Sequence, residues 1–179
     1  MYLIFLNVLK NNIALINQNF SIRESIRKNK GKWFNLKYGK LNLLNALFLP
    51  WNNSVGLYQQ HLPTSLLKTT YEEVWESEPE VLKMTCMNRI RDFKLDVNQW
   101  LFKEWQVMKG NFEPRSIHFG KYIMVSESED LSKVRNLFSQ NKVKVFCLND
   151  HITESTENVM QEAISIFEDA FPKKSSFEL

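Results

Sequence analysis

The stretch from Gln60 to Met108 concentrates side chains whose chemistry suits phosphate groups. Arg89 and Arg91 lie just before a predicted helix, where backbone N–H groups already favour an anion and a guanidinium can grip two phosphate oxygens at once. In an extended loop the two side chains would point in opposite directions, so we expect one of them to meet a ligand. The alternative is that these arginines form salt bridges with Asp92 or Asp96.

His61 opens the same stretch and is a candidate general acid or base, because histidine exchanges a proton near neutral pH. Lys68 follows on the next predicted helix and could share a face with it. Both residues also have a plainer interpretation, since a histidine before a helix is often structural and a lysine on a helix is usually a solvated charge. Spacing alone leaves both interpretations open.

Asn149 and Asp150 follow the apolar run VFCL, at the predicted end of a strand. In open α/β sheets, ligands bind beyond the carboxyl ends of the strands. A carboxylate there could hold a divalent metal ion bound to a diphosphate, or orient an acceptor hydroxyl. The alternative is that the pair shapes a turn and caps the next helix.

The elements that must position these residues are mainly helical. Hydrophobic spacing predicts helices near residues 2–20, 22–30, 41–49, 81–87 and 96–109, with Gly31 ending the second of them. We expect Pro63 to open a further helix capped by Thr64 or Ser65, and Asp96 to cap the helix that follows the arginines.

The last third of the chain has a different pattern. The segments HFGKYIMVS and VKVFCL suit strands, residues 126–138 between them suit a helix, and a final helix begins near Ser155. The simplest arrangement is two parallel strands joined by a crossover helix. The predicted fold class is therefore α/β and mostly helical, with regions at 1–59, 60–115 and 116–179.

Composition and charge narrow the function classes. The 179 residues are 44% apolar, enough for a core, and two isolated cysteines indicate neither a disulfide framework nor a zinc site, as expected of a cytoplasmic protein. The apolar start MYLIFLNVL is too short for a membrane-spanning helix and unlike a signal peptide.

The first fifty residues carry eight Lys or Arg side chains and one acid, Glu24. Such a basic arm suggests anionic partners. The segment KWFNLKYGK could bind nucleic acid or membrane head groups, or its aromatic side chains could simply anchor a surface segment. Because no recognition motif accompanies the charge, we do not expect nucleic-acid binding.

Three ordered motifs carry a family resemblance. The runs HLPTSLLKTTYEEVWESEPE, RIRDFKLDVNQWLFKEWQVMKGNFEP and VFCLNDHITES with FEDAFPKKSSFEL resemble the Stealth family of sugar-1-phosphate transferases. That family contains bacterial capsular polysaccharide phosphotransferases and is similar to the animal lysosomal-enzyme N-acetylglucosamine-1-phosphotransferase. The chain resembles its third conserved region at about 60–115 and its fourth at about 143–179.

The departures from the family pattern are equally informative. The first two regions, a nucleotide-sugar-binding strand and an aspartate-rich segment, do not occur here, and Ile90 replaces the usual Phe between the two arginines. We therefore expect an N-terminally incomplete member, part of a larger α/β catalytic domain. An upstream polypeptide would complete its active site.

The resemblance implies transfer of a hexose-1-phosphate from a nucleotide diphosphate sugar to a sugar hydroxyl in capsule or exopolysaccharide synthesis. It assigns Arg91 to the diphosphate and His61 to proton transfer or to a phosphate oxygen. It places Asn149 and Asp150 on the metal or acceptor side, and Asp96 behind the arginine loop.

We further expect Lys68 and Arg89 to contact substrate, and a divalent cation, Mg²⁺, to bind at Asp150. The predicted location is the cytoplasm, peripheral at the inner face of the membrane. The alternative function is a noncatalytic remnant or a sugar-phosphate-binding module.

Overall fold

A computed structural model describes residues 2–59, 61–140, 143–150 and 156–177, and for residues 2–5, 140, 150 and 156 it describes the backbone alone. The chain divides into two compact units. The first unit comprises Met1–Gln59 and Thr64–Ser116. The second comprises Gln60–Pro63 and Ile117–Leu179, so the histidine segment belongs with the C-terminal part of the chain.

The first unit is helical. Its helices are α1 (Tyr2–Asn19), α2 (Ile22–Lys28), α3 (Lys30–Trp33), α4 (Leu41–Leu47), α5 (Lys68–Ser77), α6 (Pro79–Met87) and α7 (Trp100–Met108). A 3-10 turn at Leu36–Tyr38 separates α3 from α4. The buried side chains of α7 pack against α1 and α5, and Leu101 in its first turn is fully buried. This helix therefore organises the core of the unit, as its apolar stripe predicts.

Two helices begin later than the sequence predicts. The expected helix at Pro63 starts only at Lys68, because the side chain of Gln106 holds the preceding segment extended. Its Oε1 accepts from the backbone N–H of Leu67 at 2.8 Å, and its Nε2 donates to the carbonyl of Ser65 at 3.2 Å. The predicted caps at Thr64 and Ser65 are therefore wrong.

The other late start is that of α7, which begins at Trp100 rather than beside Asp96. Asn98 turns the chain into this helix, since its Oδ1 accepts from the N–H of Trp100 at 3.0 Å. Gly31 also differs from expectation, because it lies inside α3. The break after α2 falls at Asn29, whose backbone leaves the helical region.

The second unit is the predicted strand–helix–strand–helix arrangement. Strands β1 (Gly120–Val125) and β2 (Val145–Asp150) pair in parallel, with Gly120 opposite Val145. Helix α8 (Ser128–Gln140) forms the crossover and α9 (Thr156–Ala170) follows β2. The core of the unit consists of apolar side chains from one sheet face and both helices: Ile123, Val125, Leu131, Val134, Val159 and Ile166. The prediction of a mostly helical α/β chain is confirmed.

Two further observations concern the cysteines and the length of the helices. Cys86 and Cys147 are both free thiols. Within the ranges described above, no helix is long and apolar enough to cross a membrane.

Candidate functional site

The arginine loop, residues 88–96 between α6 and α7, is closed by one buried carboxylate. Asp96 is only 3% exposed, and its two oxygens accept from the N–H of Asp92 and the Nδ2 of Asn88, each at 2.7 Å. The N–H of Asp96 in turn donates to the carbonyl of Asp92 at 2.9 Å. Because a buried charge is stable only when hydrogen-bonded, this arrangement fixes the loop. Asp96 therefore shapes the arginine loop instead of capping α7.

Asparagine side chains of α1 form hydrogen bonds to the arginine loop and to Asn98, which follows it. Asn11 donates from Nδ2 to the carbonyl of Asp96 at 2.9 Å and to that of Phe93 at 3.3 Å. The fully buried Asn12 exchanges two hydrogen bonds with Asn98, at 2.7 and 3.2 Å. The polar positions of α1 thus satisfy backbone groups that would otherwise be unpaired, and they tie the loop to the core.

Arg89 and Arg91 project from this fixed loop into solvent. Within the part of the chain that the structure describes, neither guanidinium makes a hydrogen bond or an ion pair. Asp92 and Asp96, the alternative partners, instead accept backbone and asparagine N–H groups. The structure therefore does not contain the predicted alternative salt bridges. Two charged forks on a rigid backbone are suited to binding an anion such as a phosphate.

A buried acid in α7 was not predicted from the sequence. Glu104 is 2% exposed, and its Oε1 accepts from Nε2 of Gln59 at 3.0 Å. Its Oε2 is buried and has no hydrogen-bond partner among the described residues. Lys103 donates to Oε1 of Gln59 at 2.9 Å, so the three side chains form one network. The only sequence signal is an acid within the apolar run WLFKEW.

Burial changes the protonation of this network. It raises the pKa of the Glu104 carboxyl, against the opposing effects of hydrogen bonds from Gln59 and from the backbone of Leu57 and of the Lys103 charge. Burial likewise lowers the pKa of Lys103, where nearby Glu104 opposes the change and Arg115 adds to it. Burial therefore favours the neutral form of the Glu104 carboxyl, although its polar neighbours favour the charged form.

We expect a pH-dependent stability from Glu104. Its raised pKa means that the native state binds this proton more tightly than the unfolded chain, so the free energy of unfolding falls as pH rises through the native pKa. Glu104→Gln should remove this fall, and its stability relative to wild type should increase with pH. Urea denaturation from about pH 4 to about pH 8 measures the effect. The exposed Glu76→Gln is the control, and an equal pH slope in wild type and Glu104→Gln would contradict the assignment.

In the second unit, the side chain of His61 contacts strand β1 through Tyr122. Its ring is 4.9 Å from that of Tyr122, centroid to centroid. The side chain of Leu62 covers Gly120, where an added Cβ would clash with Leu62 and lie 3.0 Å from the carbonyl oxygen of Val145. Side chains alternate along a strand, and Ile123 faces the α8–α9 core. Tyr122, and the His61 ring that contacts it, therefore lie on the other face of the sheet.

Asn149 lies on that same face. It is exposed, it pairs with Met124, and it follows Cys147, the partner of Tyr122, by two positions. It is therefore one strand repeat, about 7 Å along the strand, from the Tyr122–Cys147 pair. The backbone of Asp150 pairs with Val125, but its side chain lies outside the described residues, and so does the predicted metal contact.

Lys68 is the first residue of α5 and forms an ion pair with Glu72, with 3.5 Å between Nζ and Oε1. Both side chains are exposed, so the ion pair contributes little stability. This agrees with the alternative interpretation, in which Lys68 is a solvated charge on a helix. Its contact with substrate stays a prediction. No group of three or more His, Cys, Asp or Glu in the described residues could hold a metal ion, so these side chains do not by themselves build a metal site.

Comparison with known proteins finds one matching family region and several similar proteins. Residues 137–179 match Stealth protein CR4, conserved region 4. A capsular polysaccharide phosphotransferase WcwK of Streptococcus pneumoniae is 39% identical over 172 residues, which are 96% of this chain and 50% of that protein. An exopolysaccharide phosphotransferase cps2G of Lactiplantibacillus plantarum is 32% identical over 94% of this chain and 49% of its own length.

A receptor polysaccharide phosphotransferase WefC of Streptococcus gordonii is 33% identical, over 94% of this chain and 50% of its length. The chain thus spans about half the length of the curated relatives it matches. No solved structure matches it significantly. The predicted resemblance in the last conserved region is confirmed, with its start at residue 137 rather than 143. The C-terminal part of the chain thus matches the fourth conserved region of the Stealth family, and the chain as a whole is similar to about half the length of capsular and exopolysaccharide phosphotransferases.

Proposed function

We propose that this chain forms the part of a sugar-1-phosphate transferase that holds phosphate, acting in capsular or exopolysaccharide synthesis. The observation that carries the proposal is 39% identity, over 96% of the chain, to a protein named as a capsular polysaccharide phosphotransferase. The two solvent-facing arginines on a fixed loop support it, because phosphate transfer needs positioned positive charge.

In the proposed reaction, an acceptor hydroxyl oxygen attacks the phosphorus that carries the donor sugar. The bond from that phosphorus to the bridging oxygen of the diphosphate breaks, and a nucleoside monophosphate leaves with the electron pair. The hydroxyl proton passes to a base, and a phosphodiester joins the two sugars. Most of the rate enhancement comes from in-line positioning and from cancelling phosphate charge.

Each residue has a proposed role in this scheme. Arg91 binds the diphosphate, with Arg89 beside it on the same loop, and Asp96 keeps that loop in shape. His61 takes the hydroxyl proton or donates to a phosphate oxygen. Asn149 orients the acceptor, since it shares a sheet face with the histidine. Lys68 adds a positive charge near the substrate.

The partners and location are proposals as well. The donor is a nucleotide sugar, the acceptor is a saccharide, and an upstream polypeptide completes the site. A Mg²⁺ ion at Asp150 would need ligands beyond the described side chains, so no step above depends on it. The two free thiols support a cytoplasmic location, which we place at the inner face of the membrane.

Complementation tests this function. Because the curated relatives are about twice as long, we expect the chain alone to show no transfer from a nucleotide sugar. Joining it to, or co-expressing it with, an upstream polypeptide that carries the first two family regions should restore release of a nucleoside monophosphate. The control is the upstream polypeptide alone. Full activity of that control would remove the catalytic role of this chain.

A further inference from the structure

Helix α4 has the reverse of the usual amphipathic orientation. Its asparagines face the protein: Nδ2 of Asn42 donates to the carbonyl of Asn35 at 2.8 Å, and Nδ2 of Asn45 donates to that of Trp33 at 2.6 Å. Asn42 also accepts from the N–H of Asn35 at 3.2 Å. These bonds fix the helix by its polar side. Leu43, Leu44 and Leu47 occupy the opposite arc of the helix and point away from the protein, and all three are exposed.

The exposed apolar side chains of α4 and of the segments on either side of it are here called the leucine surface. Leu43 is 72% exposed and Leu47 is 66% exposed, although a surface helix normally buries such residues. Leu36, on the preceding 3-10 turn, is 97% exposed. The members of the leucine surface are Leu36, Leu43, Leu44, Leu47, Leu49 and Trp51. Apolar clusters of this kind mark interaction sites rather than ordinary solvent-facing surface.

The sequence segment that carries this surface is basic. Between Glu24 and Glu72 the sequence contains no acidic residue, and it contains seven Lys or Arg side chains. Lys37 and Lys40 flank the leucines directly, and both are exposed. Protein–protein interface cores are poor in lysine, whereas segments that lie on lipid combine leucine and tryptophan with lysine. The composition therefore favours an anionic lipid surface over a protein partner.

We propose that the leucine surface docks on an anionic phospholipid membrane. The leucines and Trp51 insert at the level of the head groups, and the neighbouring lysines contact lipid phosphates. This inference refines the peripheral placement within the proposed function, but it rests on side chains remote in sequence from the arginine loop. Lipid binding and phosphate transfer can therefore fail independently.

Vesicle co-sedimentation of the full chain tests the proposal. We expect binding to vesicles of phosphatidylcholine mixed with phosphatidylglycerol, little binding to phosphatidylcholine alone, and weaker binding at high salt. The double variant Leu43→Gln/Leu47→Gln should bind at least about tenfold more weakly, because two apolar side chains no longer insert. It should melt like wild type, since both leucines are already exposed.

A matched control uses two exposed apolar residues elsewhere. Met160→Gln/Ile164→Gln on α9 changes side chains that are each 45% exposed and should leave vesicle binding unchanged. Absence of binding, equal binding to neutral vesicles, or wild-type binding by the leucine variant would overturn the proposal. So would a dimer, seen by sedimentation velocity, that the leucine variant abolishes. Vesicle binding without transferase activity in the complemented assembly would instead reject the reaction alone.

Discussion

Arg91→Ala should lower kcat/KM of the complemented transferase by roughly 100-fold, the usual cost of removing one group that stabilises transition-state charge. The guanidinium is exposed on a loop whose shape depends on other side chains, so the variant should keep the wild-type melting temperature. Steady-state release of nucleoside monophosphate, measured beside thermal unfolding, separates an effect on catalysis from one on folding.

Three further variants test which property of Arg91 matters. Arg91→Lys keeps the charge but loses the two-pronged grip, so we expect activity between those of wild type and Arg91→Ala. Arg89→Ala shows which of the two arginines meets the ligand, and the exposed Arg27→Ala on α2 controls for loss of any surface arginine. Unimpaired turnover by Arg91→Ala would remove its proposed role.

Asp96→Ala should lower the free energy of unfolding by about 3 kcal/mol, because the variant removes a buried carboxylate and leaves two part-buried donors without an acceptor. Those donors are the N–H of Asp92 and the side-chain amide of Asn88, each 2.7 Å from the carboxylate. The loop should also open more often. Urea denaturation followed by tryptophan fluorescence measures the stability, and hydrogen exchange over residues 88–96 measures the opening.

Asp92→Ala is the matched control for that prediction. Its Oδ1 accepts one hydrogen bond, from the N–H of Lys94 at 2.8 Å, at a more exposed position. We expect it to cost about 1 kcal/mol. Stability of Asp96→Ala within about 0.5 kcal/mol of wild type would show that the carboxylate does not hold the loop.

Local patterns predicted much of the fold. The parallel strand–helix–strand unit followed from two apolar runs around an amphipathic segment. The start of α5 could not be predicted, because Gln106, distant in sequence, holds Ser65 and Leu67 extended. Composition also showed that α4 is apolar but not which way it faces, since the asparagine contacts that orient it depend on the folded chain.

In the candidate site, too, some residues could be predicted from local sequence and others depend on distant contacts. The paired arginines could be selected from the sequence, because their type and position before a helix suit an anion-binding loop, whereas the place of Asp96 behind that loop came from the family resemblance. Their supporting bonds to α1 could not, since Asn11 and Asn12 are remote along the chain. Glu104 was missed because its chemistry arises from burial, which depends on how α7 packs.

Following the donor phosphorus distinguishes transfer of a sugar phosphate from transfer of the sugar alone. The complemented assembly should be given a nucleotide diphosphate sugar labelled at the phosphorus that carries the sugar, together with a saccharide acceptor. We expect the label to enter a phosphodiester with the acceptor while unlabelled nucleoside monophosphate is released. Release of labelled nucleoside diphosphate, with an unlabelled saccharide product, would mean glycosyl transfer and would contradict it.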